Sequence, residues 1–339
     1  MFSHVGSTKN EKLQKIGSVD FQPMFKLSRP LRVSASPVAV NSKLCGIFWR
    51  YFSQTRLRLS GAPIETVDLV YDEFEAHNSN KSPLVFLHGL FGSKSNNRTV
   101  AKQLSERLDR NVYCLDLRNF GSSPHIKRLD YPSLAADVEN WVAQRDFKQK
   151  PIFIGHSMGA KTAMAVALRK PDVPKMIVSV DNAPITFGNT DSKFNKYINQ
   201  LRLSLEKYHY TNIKDVDAKL AEVEPNKVVR QFVLMNMKRG KKDEPVTSKI
   251  PLDIIGDAIS KGFIASWPYS PTEVRWTGPA LFIRGTESHY IPDDVFPEIA
   301  QFFPNFEIRD IKSGHWVISE KPNEFMDVLC EYIERIEDE

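Results

Sequence analysis

Cysteine is scarce in this sequence, with three in 339 residues: Cys45, Cys114 and Cys330. They lie far apart and form no Cys-x-x-Cys pair. Disulfide frameworks need paired cysteines, and zinc sites need ligands clustered at short spacing. The sequence therefore predicts neither, and Cys114, inside an apolar run, is expected to be a buried small hydrophobic residue.

Long apolar runs, phosphate-binding glycine loops and dinucleotide fingerprints are missing as well. No stretch approaches the ~18 consecutive apolar residues of a membrane-spanning helix. The composition, 41% hydrophobic and 26% charged, is ordinary for a globular protein. We therefore expect no stable membrane insertion, no cofactor and no bound metal ion.

Acidic residues are absent between Asp20 and Glu65. Residues 1–60 hold ten Lys or Arg and two Asp or Glu, whereas the remaining residues hold 36 basic and 39 acidic side chains. The net charge of +5 therefore comes entirely from this leader. A basic face for nucleic acid on the rest of the chain is not expected.

The leader, residues 1–60, is basic, rich in serine and almost free of acidic residues, which is typical of a mitochondrial transit peptide. Such a segment can form a cationic amphipathic helix that is drawn to an anionic membrane and a negative-inside potential. We expect a mitochondrial protein. The alternative is a basic tail with no targeting function. Met24 is a second candidate start besides Met1.

Residues 61–339 alternate between short apolar runs and helical periods. Strands that are buried on both faces are continuous apolar runs, and strand–helix alternation favours a parallel sheet with helices on both faces. The final helix is expected at 322–336. The predicted strands are 64–71, 83–87, 112–115, 152–154, 176–180, 280–283 and 306–308.

The pattern changes between about residues 185 and 271. Charged helical stretches dominate, at 194–208 and 227–237, with no convincing core strand. This change predicts a helical cap inserted into the sheet domain. The aromatic residues near the cap are expected either to line a substrate pocket or to form the core of the cap: Phe187, Phe263, Trp267 and Tyr269.

A nucleophile motif, Gly155-His156-Ser157-Met158-Gly159, lies between the apolar run at 152–154 and an alanine-rich helix. In G-x-S-x-G the serine occupies a sharp strand-to-helix turn, and the two glycines leave room for it. The hydroxyl of Ser157 is thereby exposed above the sheet. We predict that Ser157 is the nucleophile of an acyl-enzyme mechanism.

Acyl transfer also needs two hydrogen-bond donors aimed at the developing oxyanion. The turn His88-Gly89-Leu90 follows an earlier buried strand and supplies the second half of such a site. The predicted donors are the backbone N–H groups of Leu90 and Met158. The alternative is a tight turn with a buried histidine.

A serine hydroxyl needs a base, and the sequence has eight histidines. His315, in Ser313-Gly314-His315-Trp316, follows the last strand and precedes the last helix. With a G-x-S-x-G nucleophile, the triad residues follow in the order serine, acid and histidine, which places the base here. His156 is adjacent to the serine, but its side chain should point away from the hydroxyl. We therefore predict His315 as the base, with His289 the alternative.

The acid is missing from its usual place. The segment after the penultimate strand, 283–290, contains no Asp. The strand after the nucleophile helix instead ends at Asp181, and its end lies close enough in the sheet to reach the same imidazole. We predict Asp181 as the acid, with Glu287 the alternative.

With these residues identified, the chain from about residue 64 resembles one branch of the α/β-hydrolases. This branch contains the mitochondrial α/β-hydrolase-domain serine hydrolases and the yeast ethanol acetyltransferases. The resemblance implies the α/β-hydrolase fold, with a mostly parallel sheet, helices on both faces and an inserted helical cap. It also implies an acid 24 residues after the serine, which is Asp181. The matching motifs are HGLFGS, LDLRNFGSSPH, GHSMGAKTAM, VDNAP, WPYSP and SGHW.

The same resemblance implies a reaction in which acetyl-CoA acylates Ser157 and ethanol accepts the acetyl group, giving ethyl acetate. Water would compete as acceptor and give thioesterase and esterase side activities. The expected partners are therefore acetyl-CoA, ethanol and short esters. Two alternatives remain: a hydrolase of esters or thioesters, and a non-catalytic binding protein with the same fold.

Overall fold

The computed structural model describes residues 64–77, 80–188 and 193–339. The predicted leader, residues 1–60, lies outside them. The described strands are β1 (Tyr71–Phe74), β2 (Leu84–Leu87), β3 (Val112–Leu115), β4 (Ile152–His156), β5 (Met176–Val180), β6 (Met237–Lys238), β7 (Thr247–Ser248), β8 (Ala280–Gly285) and β9 (Phe306–Ile311).

Seven of the described strands form one sheet in the order β1-β3-β2-β4-β5-β8-β9. Strand β1 is antiparallel to β3, and all the other pairs are parallel. The central strands β2, β3 and β5 are buried along their whole length, as their almost entirely apolar sequences predict. The one polar residue, Ser179 in β5, donates its hydroxyl to the carbonyl of Asn182 (2.7 Å). The predicted fold class, a mostly parallel sheet of the α/β-hydrolase type, is therefore confirmed.

Helices cover both faces of this sheet. None of the described helices is long and apolar enough to cross a membrane. The helices are α1 (Arg98–Leu108), α2 (Tyr131–Ala143), α3 (Met158–Arg169), α4 (Lys193–Arg202), α5 (Ile213–Ala221), α6 (Lys227–Leu234), α7 (Leu252–Ser260), α8 (Phe296–Phe302), α9 (Val317–Glu320) and α10 (Pro322–Asp338).

Two hydrophobic cores result from the alternation of side chains along each strand. In β2, Val85 and Leu87 join the core under α2 and α3, whereas Leu84 and Phe86 join the core under α1 and α10. Cys114 is fully buried in the second core, as predicted.

The edge strand predicted at 64–71 is wrong except at its last residue, because β1 spans Tyr71–Phe74. The alternating apolar and polar residues of this segment belong to an irregular stretch whose backbone bonds to side chains of the sheet domain. The N–H of Val67 donates to Asp137 Oδ1 (2.9 Å), and the N–H of Val70 donates to Ser123 Oγ (2.9 Å). These backbone donors therefore bind side chains and not a neighbouring strand.

Helices α4 to α7 and the ribbon of β6 and β7 are inserted between β5 and β8. We call this segment the cap. The helix predicted at 194–208 is α4 continued by a π-helical turn over Leu203–Lys207. The helix predicted at 227–237 ends earlier, at Leu234, because Met237 begins the ribbon.

Candidate functional site

Ser157 lies between the end of β4 and the first residue of α3, with backbone angles φ 55° and ψ −115°. A φ in this range is unfavourable for a serine and is retained only where the surroundings enforce it. The flanking glycines allow the turn. A Cβ on Gly155 would lie 2.1 Å from the carbonyl oxygen of Gly159, and one on Gly159 would lie 2.1 Å from that of Leu87.

Backbone hydrogen bonds fix this turn to the next strand. The N–H of Ser157 donates to the carbonyl of Val180 (3.0 Å), and the amide of Asn182 donates to the carbonyl of Ser157 (3.0 Å). Asn182 was not identified from the sequence, because an asparagine after a strand end is equally typical of an ordinary turn.

Asp181 follows β5 directly and is fully buried, with φ 53°. Its Oδ1 accepts the N–H of Gly285 (3.1 Å). Its Oδ2 accepts the hydroxyl of Ser288 (2.5 Å) and Nδ1 of His315 (2.7 Å). The structure therefore brings together the predicted acid and base and adds Ser288, which sequence reasoning missed.

His315 lies in the loop between β9 and α9, with a fifth of its side chain exposed. The hydrogen bond to Asp181 places the proton of the neutral ring on Nδ1, so Nε2 is left to accept one. The ring also stacks on Tyr290, with centroids 4.0 Å apart and planes 21° apart. Together, the carboxylate and the phenol ring fix the orientation of the imidazole.

His156 supports the loop that carries His315. Its Nε2 donates to the carbonyl of His315 (2.7 Å), and the two rings lie 4.8 Å apart. Burial, with a smaller contribution from the neighbouring His315, lowers the pKa of His156 to about 3. His156 therefore stays neutral at ordinary pH and acts as a hydrogen-bond donor and not as a base.

His88 has a similar supporting role in the loop that carries Leu90. Its Nδ1 donates to the carbonyl of Gly89 (2.8 Å), and its Nε2 accepts the N–H of Leu117 (3.0 Å). Burial is the largest influence and lowers its pKa, so the ring is neutral. The buried histidine of the alternative interpretation is therefore present, and it supports the loop that carries the predicted oxyanion donor.

An apolar cavity of about 240 Å³ opens at Ser157. Both predicted oxyanion residues, Leu90 and Met158, line it together with the serine. Met158 is the first residue of α3, and N–H groups in a first helical turn have no partner within the helix. The geometry therefore provides an apolar compartment with a backbone donor beside the hydroxyl.

The alternative residues are placed differently. Glu287 is exposed, and its N–H donates to the carbonyl of Ser313 (3.0 Å), while the adjacent Ser288 faces Asp181. His289 lines the cavity but is exposed to solvent. The contacts of the carboxylate therefore favour Asp181 over Glu287 and His315 over His289.

Of the four aromatic residues expected at the cap, Phe187 lines the cavity. Trp267 is buried and packs against Tyr269 (5.0 Å between centroids), as the core alternative predicts. Phe263 is exposed. The cavity wall also includes aromatic residues that were not identified from the sequence: Tyr131, Phe194 and Tyr290.

Lys161, one turn into α3, is a further buried polar residue that the sequence did not identify. Its ammonium donates to the carbonyls of Ile185 (2.7 Å), Ala265 (3.1 Å) and Ser266 (3.2 Å). These acceptors belong to the two segments that join the cap to the sheet domain. Burial lowers the pKa of Lys161 to about 7.

In the described part of the chain, no three His, Cys, Asp or Glu side chains are grouped as a metal site would require. The polar side chains around Ser157 instead bond to one another and to the backbone. A nucleophile, a buried acid and a base oriented by it suit acyl transfer through a covalent serine intermediate.

Comparison with known proteins identifies the family and the fold. Residues 82–322 match the sequence model of the α/β-hydrolase fold family. Among solved structures, a marine microorganism esterase is similar with a TM-score of 0.70 and 29% identity, covering 79% of this chain and 100% of the esterase.

Curated relatives extend over most of the chain. A Saccharomyces cerevisiae protein named "Probable alcohol acetyltransferase" is 42% identical over 76% of this chain and 79% of its own length. An sn-1-specific diacylglycerol lipase of Xenopus laevis is 35% identical over 79% and 84%. Ethanol acetyltransferase 1 of Cyberlindnera fabianii is 30% identical over 83% and 92%.

Proposed function

The chain belongs to the α/β-hydrolase fold family, and from that membership we propose that it is an alcohol acetyltransferase making ethyl acetate from ethanol and acetyl-CoA. One observation carries the acyl-transfer chemistry of the proposal: Asp181 orients His315 (2.7 Å), whose ring stacks on Tyr290 in the wall of the cavity that Ser157, Leu90 and Met158 line. The two yeast acetyltransferase relatives support the choice of reaction.

In the first half-reaction, Oγ of Ser157 attacks the thioester carbonyl carbon while Nε2 of His315 takes the hydroxyl proton. The N–H groups of Leu90 and Met158 stabilise the resulting oxyanion. The carbon–sulfur bond then breaks, and His315 returns the proton to the sulfur. The products are acetyl-Ser157 and free CoA. Asp181 stabilises the imidazolium that forms in between.

In the second half-reaction, the ethanol oxygen attacks the acetyl carbon while His315 takes the ethanol proton. The bond to Oγ of Ser157 breaks, the proton returns to the serine, and ethyl acetate leaves. Water reacting in the same way releases acetate, which accounts for the proposed thioesterase and esterase side activities. The apolar wall of the cavity favours the alcohol because it disfavours water.

A second candidate is a hydrolase of esters or thioesters with water as the acceptor. The similarity to a marine microorganism esterase and to a diacylglycerol lipase favours it. The two candidates share every residue of the site and differ only in the second nucleophile. A non-catalytic binding protein is not supported, because such a protein has no need of a buried carboxylate that orients a histidine.

The purified full chain, incubated with acetyl-CoA with and without ethanol, tests the proposal. We expect ethyl acetate and free CoA in the presence of ethanol. Ser157→Ala should abolish both products, whereas Ser260→Ala, at an exposed serine at the end of α7, should not. Release of CoA that ethanol does not change, with no ester formed, would identify the hydrolase instead.

We propose separately that the protein is located in mitochondria. The composition of residues 1–60, ten basic and two acidic residues, supports import into mitochondria.

A further inference from the structure

Five basic side chains gather on the β6–β7 ribbon of the cap and its connecting turn, and we call this segment the cationic ribbon. All five are exposed, and none forms an ion pair with another described residue. The acidic Glu244 in the turn accepts the N–H of Lys241 (2.9 Å). The turn also carries the exposed Asp243, so five positive and two negative side chains leave this segment with a net charge of +3. The positive side chains are Lys238, Arg239, Lys241, Lys242 and Lys249.

The cationic ribbon is fixed to the loop that carries the predicted oxyanion donor. The amide of Asn236, the residue before β6, donates to the carbonyl of Phe91 (2.8 Å) in a buried contact. The N–H of Lys249 donates in turn to the carbonyl of Asn236 (2.8 Å). Phe91 directly follows Leu90, which lines the Ser157 cavity, so this contact joins the ribbon to a loop in the wall of that cavity.

A cleft of about 470 Å³ separates the ribbon from this loop. Phe91, Ser93, Lys94 and Ser95 line one side, and Met237 and Lys249 line the other. Asp116 also lines the cleft, and its carboxylate accepts the N–H groups of Lys94 (2.7 Å) and Ser122 (2.8 Å). Serine hydroxyls and two lysines make this cleft more polar than the cavity at Ser157. Lys94 is paired with Asp72 (2.6 Å), and the ammonium of Lys249 donates to the carbonyl of Met235 (2.7 Å).

We infer that the cationic ribbon and its cleft bind the phosphorylated ADP end of the acyl-CoA donor. This inference rests on the proposed function. Ethanol is uncharged, whereas CoA carries several negative charges on phosphates at the end remote from its sulfur. Those phosphates cannot enter the apolar cavity without a large desolvation cost. The loop Leu90–Ser95 contributes to both compartments, so the donor extends from one to the other along it.

A pair of thioesters tests the inference. Acetyl-CoA and S-acetyl-N-acetylcysteamine carry the same thioester, but the second lacks the nucleotide. The test variant of the full chain is Arg239→Glu/Lys241→Glu/Lys242→Glu. The matched control is Lys102→Glu/Lys148→Glu/Lys150→Glu, which changes the charge equally at exposed positions elsewhere on the surface.

We expect the test variant to lower kcat/KM for acetyl-CoA, relative to that for the truncated thioester, by about tenfold through KM. The control should leave this ratio within about twofold of the unmodified protein. Added salt should weaken the unmodified protein's preference for acetyl-CoA, because exposed charges are screened, and should have little effect on the test variant.

The inference would be overturned if the test variant lost kcat/KM to the same extent with both thioesters, or lost it with neither. Binding of free CoA, measured by calorimetry, is independent of turnover, and equal affinity of the test variant and the unmodified protein would overturn it too. If the unmodified protein binds vesicles of anionic phospholipid and the test variant does not, while both bind CoA equally well, the ribbon is a membrane-binding surface instead. Failure of the unmodified protein to transfer acetyl groups, despite binding CoA through the ribbon, would overturn the proposed function alone.

Discussion

Asp181 accepts three hydrogen bonds with one buried carboxylate, and the bond to Nδ1 of His315 is the one that the proposed reaction needs. In Asp181→Asn an amide replaces one oxygen, so the imidazole loses its charged partner and the tautomer that leaves Nε2 free. We expect kcat to fall by about 10³- to 10⁴-fold. Initial rates of CoA release, with expression and folding checked by circular dichroism, measure the effect.

Glu287→Gln is the matched control, because that carboxylate is exposed. Its rate should stay within about twofold of the unmodified protein. An inactive Glu287→Gln beside an active Asp181→Asn would reverse our assignment of the acid.

How far single residues of the site are predictable depends on whether they lie in a motif. Ser157 and His315 could be identified because each interrupts a recognisable strand-to-helix transition. Ser288 and Tyr290 could not be identified, because their contacts with Asp181 and His315 depend on the pairing of β5 with β8. No motif in the sequence indicates that pairing. Asp181 could be predicted as the acid, with Glu287 the alternative, but the contacts of its carboxylate with Gly285 and Ser288 could not.

Lys161 joins the two connections of the cap to α3, and its titration provides a test of that element. Burial lowers its pKa to about 7, against 10.5 for an ordinary lysine. Between these pH values the unfolded chain binds more protons than the folded one, so the free energy of unfolding rises with pH.

Lys161→Met removes this amine and should flatten the rise. Comparing urea unfolding near pH 7 with that near pH 9.5, we expect the increase to shrink by about 1–3 kcal/mol relative to the unmodified protein. Lys170→Met, at an exposed lysine one residue past α3, should leave the increase intact. An unchanged slope in Lys161→Met would mean that its amine titrates as an exposed lysine does.

Elements were predictable where burial made their sequence pattern unambiguous. The central strands β2 to β5 appear as mostly apolar runs because helices cover both faces of the sheet. The segment at 64–70 alternates like an edge strand, yet its backbone donors bind Asp137 and Ser123. Helices α5 and α7 in the cap were not predicted, because each has only nine residues and is shorter than the window over which a helical period can be recognised.

At the scale of the sheet domain, Glu337 near the C-terminus is bound to residues that flank the sheet strands. Arg110, before β3, and Lys175, before β5, donate to its carboxylate (2.8 Å each). Burial alone would raise the pKa of Glu337, but these hydrogen bonds lower it to about 2. The stabilisation is therefore complete above about pH 4.5 and is lost as the pH falls toward 2.

Glu337→Gln should remove this contribution and shift the midpoint of acid unfolding to higher pH, as followed by tryptophan fluorescence. Glu331→Gln, which removes an exposed carboxylate of the same helix, is the control. Coincident acid transitions for Glu337→Gln and the unmodified protein would show that the three-residue cluster adds no stability.

The proposed leader, residues 1–60, can be tested apart from the rest of the chain. A fluorescent protein fused behind residues 1–60 should enter mitochondria, because the segment is cationic and nearly free of acidic residues. Replacing Arg29, Arg32 and Lys43 with glutamine should reduce import. A diffuse cytosolic signal from the unmodified fusion would exclude a mitochondrial address.

The fold class of the whole domain followed from the alternation of strands and helices, but the order of strands in the sheet did not. That order places the end of β5 beside the end of β8, and the contacts between Asp181, Ser288 and His315 depend on it. Long-range neighbours of this kind leave no periodic trace in a single sequence.

The hydrogen bond between Ser288 and Asp181 also bears on how such a site changes during evolution. Two neighbouring strand ends face one imidazole, and here the carboxylate comes from the first and a hydroxyl from the second. An ancestor with acids at both ends could lose either one without losing its orienting group. The acid is thus a property of an edge that two strands share, because a carboxylate at either strand end could orient the same imidazole.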